Sequence, residues 1–213
     1  MSHTQPLLIV VEGINGSGKS SVALALQDLL DKEHRPSVIV DIIPKGVIRT
    51  LVKEDHTLSP IQRALLFKVE SMSVHDTVKR HLDAGKTVIM DRGIFSFLAF
   101  QGYAEDLEWE VEMLEALCKK PFLPCDVAVF LNVPLEVCQM RLATRPTEKD
   151  HFEEISESFD QKVYDGYQLV FEQERRRAKY VKHVVEFIDD LPPKIVATVV
   201  WEGIKDHLQQ LSQ

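Results

Sequence analysis

Cysteine is scarce in this chain: Cys118, Cys125 and Cys138 are the only three among 213 residues. An odd number without CxxC spacing leaves no disulfide framework and no clustered-thiol metal centre to expect, and reduced thiols suit a cytoplasmic protein. Long apolar runs are missing as well. None approaches the roughly 20 residues that span a bilayer, so no membrane partner is expected. The opening "MSHTQPLLIVVEG" has no basic segment ahead of its apolar run, which argues against an export signal. Positive charge is not in excess either. A net charge of −8 and a pI near 5.5 argue against nucleic acid as a partner, so an anionic small ligand needs a locally basic pocket. No internal repeat, low-complexity tract or linker interrupts the chain, and residues 1–213 read as a single domain.

What the chain does have is alternation. Short apolar runs at Leu7–Val11, Ser37–Ile43, Thr87–Asp91, Asp126–Val133 and His183–Asp189 read as strands buried on both faces. Helical spacing fills the gaps: Val22, Leu26, Leu29 and Leu30 before Pro36, a stretch from about Pro60 to Ala84 closed by Gly85, and an amphipathic segment after Pro192. Strand and helix in alternation predict an α/β fold, a parallel sheet of about five strands with helices on both faces.

The first strand leads into Gly13-Ile-Asn-Gly-Ser-Gly-Lys-Ser20 and then a helix. This satisfies GxxxxGK[ST] at every fixed position and in the required strand–loop–helix context. Glycines let the backbone turn sharply, so that its N–H groups converge on phosphate oxygens at the helix N-terminus. Gly13, Asn15, Gly16, Ser17, Gly18, Lys19, Ser20 and Ser21 are therefore the expected ATP-binding residues. Lys19 faces the β- and γ-phosphates, and the Ser20 hydroxyl joins a Mg²⁺ shell. Asp91 and Arg92 end the third strand, on the edge where open α/β sheets bind ligands. A carboxylate there can share the Mg²⁺ with Ser20, while a guanidinium fork grips phosphate oxygens.

The segment "DRGIFSFLAFQG" (Asp91–Gly102) resembles the DR(Y/H)xxSxxAYQG motif of thymidylate kinases, with Phe100 in place of tyrosine. Upstream, "LLFKVES" resembles their LLFxAxR helix at Leu65, Leu66 and Phe67. The resemblance runs from the phosphate loop to the lid and beyond. It implies the three-layer P-loop NTPase fold and transfer of the γ-phosphoryl group of ATP to dTMP or a related nucleoside monophosphate, with Mg²⁺. It implies that Phe67 stacks on the acceptor base, that Ser96 lies beside it, that Arg92 grips the acceptor phosphate, and that Phe100 and Gln101 complete the pocket. It places a lid at about residues 142–155, with Arg141 beside ATP and Arg145 acting with Lys19, Asp91 and Arg92 on the transferring group. Family members are commonly homodimers, so the resemblance extends to a second copy of the chain.

Several positions depart from that pattern. Asn15 stands where the phosphate loop often carries an acid. "IIPKG" (Ile42–Gly46) stands for REPGG, leaving Lys45 as the substitute for an arginine on the acceptor phosphate. Ser71 replaces the base-reading arginine, and His151 replaces a lid arginine. A lysine supplies charge without the bidentate fork, and serine supplies neither. Two other readings follow. One is a deoxynucleoside or other small-molecule kinase, whose hydroxyl acceptor would call on Asp41 as base. The other is a nucleotide-binding regulatory protein that transfers nothing.

Overall fold

A computed structural model describes residues 5–42, 44, 46–55, 57–107, 123–144 and 157–210. Five strands, β1 (Leu8–Glu12), β2 (Ser37–Asp41), β3 (Thr87–Asp91), β4 (Cys125–Leu131) and β5 (Val181–Phe187), form one sheet in the order β2-β3-β1-β4-β5. Every pairing is parallel. The expected α/β architecture is present, with strand boundaries one or two residues earlier or later than the apolar runs suggest. β1 sits at the centre with all five residues buried, as its unbroken apolar run requires.

Helix α1 (Lys19–Lys32) starts at Gly18, which has φ 95 and supplies no side-chain cap. That leaves the helix N-terminus open to an anion. Its buried stripe of Val22, Ala23, Leu26 and Leu30 matches the helical spacing read from the sequence. A short helix α2 (Val47–Glu54) follows β2. Helix α3 (Pro60–Asp83) begins at a capping box, in which Ser59 and Gln62 satisfy each other's backbone N–H groups and Pro60 takes the first turn. Gly85, at φ 77, turns the chain out of it.

After β3 the chain makes one turn of α-helix, α4 (Ile94–Phe97), and then widens into a π-helix over Leu98–Ala104. Helices α5 (Leu135–Ala143), α6 (Glu157–Arg177) and α7 (Pro193–Gln210) complete the described elements. A stack of Phe95, Phe171 and Phe130 seats α6 on the sheet, with centroids 4.9 Å apart for Phe95–Phe171 and 4.2 Å for Phe130–Phe171. α7 packs on α1, and its buried Trp201 ring carries the Arg35 guanidinium 4.8 Å from its centroid. No described helix is long and apolar enough to cross a membrane.

Candidate active site at the carboxyl edge of the sheet

The loop between β1 and α1 is set by three residues with left-handed backbone, Gly13 at φ 146, Gly16 at φ 82 and Gly18 at φ 95. At Gly16 space is as limiting as angle: a Cβ would lie 2.4 Å from the Cys138 carbonyl oxygen. Helix α5 thus packs directly under the loop. Its Arg141 donates to the Gly16 carbonyl at 3.2 Å and pairs with Asp190 beyond β5, so that one guanidinium ties loop, helix and the β5–α7 connection together.

Lys19 is 7% exposed, and its ammonium donates to the Ile14 carbonyl at 2.7 Å. Burial, with Arg92 nearby, brings its pKa down to about 7, although Asp91 and Glu12 pull the other way. A buried cation with so little compensation suits an incoming polyphosphate. The Ser17 hydroxyl points the same way: it is buried and has no hydrogen-bond partner. Both features fit a triphosphate in the loop.

Ser20 and Asp91, the two residues expected at Mg²⁺, are hydrogen-bonded to each other. Ser20 Oγ donates to Asp91 Oδ2 at 2.5 Å, joining the first turn of α1 to the end of β3. A hydroxyl and a carboxylate converging beside a phosphate loop fit Mg²⁺, which takes one or two protein ligands plus phosphate oxygens and water. Asp41, the register partner of Asp91 on β2, is salt-bridged to Arg49 at 2.6 Å.

Arg92 follows immediately, with φ 74 in a region that L-residues rarely occupy. One guanidinium nitrogen donates to the Gly13 carbonyl at 3.1 Å, to Ser96 Oγ at 3.1 Å and to Tyr167 Oη at 2.9 Å; the other bonds Asn15 Oδ1. The guanidinium also lies 5.3 Å from the centroid of Phe100. Asn15, placed by motif at the phosphates, therefore binds Arg92. Ser21 is exposed on α1, and Phe67 is half-buried against the core. Gln101 is buried at 2% exposure, and its side-chain nitrogen has no hydrogen-bond partner among the described residues. Ser71, in the base-reading position, donates to the Lys68 carbonyl at 2.7 Å, as a serine within a helix commonly does. Lys45, Arg145 and His151 lie outside the described residues, as does most of the expected lid.

Two groups were given no site role by the sequence. Glu12, the last residue of β1, is fully buried and accepts from Ser96 and Tyr167. Tyr167 of α6 is likewise fully buried, and its hydroxyl meets Arg92. The signal available in the sequence was the charge itself, a glutamate ending an otherwise apolar strand.

A family model described as thymidylate kinase matches residues 11–188. The chain belongs to the thymidylate kinase family. It is 31% identical over 169 residues to a thymidylate kinase of Staphylococcus epidermidis, covering 76% of this chain and 82% of that protein. A thymidylate kinase of Chlorobium limicola is 29% identical, across 93% of this chain and 99% of its own length. In this member of the thymidylate kinase family the phosphate loop, the Ser20–Asp91 pair and Arg92 lie together at the carboxyl edge of the sheet.

Proposed function

We propose that the protein is an ATP-dependent thymidylate kinase that transfers the γ-phosphoryl group of ATP to the phosphate of dTMP. The observation that carries the reading is the 2.5 Å bond between Ser20 and Asp91, set beside an Arg92 guanidinium anchored on the phosphate loop. Metal-side and acceptor-side groups thereby meet on one loop.

The roles follow from the chemistry of each group. Loop N–H groups and Lys19 hold the β- and γ-phosphates, and Arg141 lies along the donor nucleotide. Ser20 and Asp91 would hold Mg²⁺, which when bound spreads the charge on the β- and γ-oxygens. Arg92 fixes the acceptor phosphate, with Phe67 and Phe100 as aromatic walls for the base and Ser96 beside it. One bond forms, from an acceptor phosphate oxygen to the γ-phosphorus. One breaks, between that phosphorus and the β–γ bridging oxygen, and ADP leaves. The acceptor is already ionised near neutral pH, so positioning does the work of a base. A hydroxyl acceptor would need a carboxylate to take its proton, and Asp41 is engaged by Arg49, which favours the monophosphate.

Lys45 and Arg145 are assigned to the acceptor phosphate and the transferring group, with the segment 142–155 as lid. The buried free thiols Cys125 and Cys138 suit a reducing cytoplasm that supplies ATP and dTMP. A second copy of the chain has an apolar surface to meet on α3, where Leu65 and Val69, one turn apart, are 45% and 54% exposed. The test is product identification after incubation with ATP, Mg²⁺ and a panel of nucleoside monophosphates and nucleosides. dTDP formed fastest from dTMP is expected. Phosphorylation of free nucleosides alone, or of no acceptor, would overturn the reading.

A further inference from the structure

Glu12 is a carboxylate with no access to water, 0% exposed at the centre of the sheet's carboxyl edge. Burial raises its pKa, against the pull of the Ser96 hydrogen bond, the Arg92 charge and the Gly93 and Ser96 amides. Four donors reach it. The backbone N–H groups of Gly93 and Ser96 donate to Oε1 at 2.6 and 3.2 Å, while Ser96 Oγ and Tyr167 Oη meet Oε2 at 2.6 and 3.1 Å. A carboxylate offers about four lone-pair sites, so this one is saturated without touching a cation directly.

The arrangement directs two hydroxyl protons away from Arg92. A hydroxyl has one proton to give. Ser96, giving its proton to Glu12, turns its lone pairs toward Arg92, 3.1 Å away. Tyr167 also turns its lone pairs toward Arg92, at 2.9 Å, its proton going to Ser96 Oγ at 2.7 Å or to Glu12 Oε2 at 3.1 Å. Arg92 needs such support, because a non-glycine residue at φ 74 is held only where its surroundings over-determine it.

We propose that Glu12 is a positioning residue for phosphoryl transfer: from inside the core it orients the Ser96 and Tyr167 hydroxyls, and through them it holds the Arg92 guanidinium where the acceptor phosphate binds. The proposal rests on the kinase reading above. Glu12→Gln keeps the shape of the side chain but replaces one acceptor oxygen with a donating NH₂. That group forces at least one hydroxyl to turn its proton toward the guanidinium. Tyr167→Phe removes one relay hydroxyl and leaves the ring stack on Phe130 in place.

The experiment is steady-state kinetics of the full chain with ATP and dTMP varied separately, for wild type, Glu12→Gln, Tyr167→Phe and the double variant. Each single change is expected to raise the KM for dTMP about tenfold, with the KM for ATP within twofold of wild type. The double variant is expected to lose less than the product of the two, because both act through one guanidinium. Wild-type KM values for dTMP overturn the proposal. So does a loss of kcat with both KM values unchanged and a lowered melting temperature, which marks a merely structural residue. If Glu12→Gln does not fold, Tyr167→Phe decides alone by the same KM comparison. The kinase reading fails by a different result, a wild type that transfers nothing to any acceptor, and the proposal falls with it.

Discussion

At Lys19 a buried ammonium with a pKa near 7 makes stability depend on pH in a direction that can be worked out. The unfolded chain keeps the lysine protonated up to an ordinary pKa of about 10.4. Between these two values the unfolded state binds more protons, so stability rises with pH. The contribution is present above the unfolded value and is lost as pH falls through the folded one. Ligand-free wild type in a chelator should therefore gain on Lys19→Met between pH 7 and pH 9, by about 2–3 kcal/mol, read from urea unfolding. A constant difference would show that the ammonium is hydrated after all. At Gly16, alanine must accept φ 82 and a contact 2.4 Å from the Cys138 carbonyl. Gly16→Ala should weaken ATP binding by about two orders of magnitude, a loss of about 2–3 kcal/mol in calorimetry, and unchanged affinity would mean that α5 yields. Both residues were legible in the sequence because backbone geometry and phosphate chemistry allow few alternatives at those positions. Glu12 and Tyr167 were not, since the hydroxyls and the arginine that justify a buried carboxylate come from segments 84 and 155 residues away.

Among the elements, the π-helix over Leu98–Ala104 decides where Phe100 and Gln101 lie. Widening the turn presents these two residues differently from an α-helix of the same sequence. No hydrophobic period announces such a change. The motif could therefore name Phe100 and Gln101, while the sequence could not say that one edges Arg92 and the other backs onto Glu105. The far end of this π-helix is pinned to α3 by Arg63, which donates to Glu105 Oε1 through two nitrogens at 3.1 and 2.6 Å and to the Leu58 carbonyl at 2.5 Å. Both side chains of the pair are below 10% exposure, and burial raises the pKa of the Glu105 carboxylate. Removing one partner of a buried pair strands the other and costs about 3–5 kcal/mol. Arg63→Met should thus lower the melting temperature by roughly 6–20 °C for a chain of this size, and a shift of only a degree or two would show that water reaches Glu105. The ends of α3 were more legible than this pair, because Pro60 and Gly85 act on their own helix and need no distant partner.

Across the whole molecule, side chains tie together segments far apart in sequence. Asp126 at the start of β4 accepts from the Leu8 amide at 2.8 Å, Tyr167 of α6 reaches back to Glu12 of β1, and Trp201 of α7 is covered by Arg35. The parallel order was legible because strand–helix alternation leaves few ways to bury both sheet faces. The side-chain ties across it were not, since each depends on a register that only folding sets. This interleaving leaves no stretch of described chain that buries its apolar face without the rest, and we propose that residues 1–213 fold as one unit. Thermal unfolding should then give a single transition with calorimetric and van't Hoff enthalpies in agreement. The loop proposed to bind ATP touches β1, α5 and, through Arg141, the β5–α7 connection, so a ligand there should move that transition as a whole. At a hundred times its dissociation constant ATP adds about 2.7 kcal/mol, which for a chain of this size raises the midpoint by roughly 5–11 °C. Two transitions, with only one responding to ATP, would mean that the phosphate loop and part of the sheet unfold apart. The Glu12–Tyr167 tie would then be too weak to join α6 to the core.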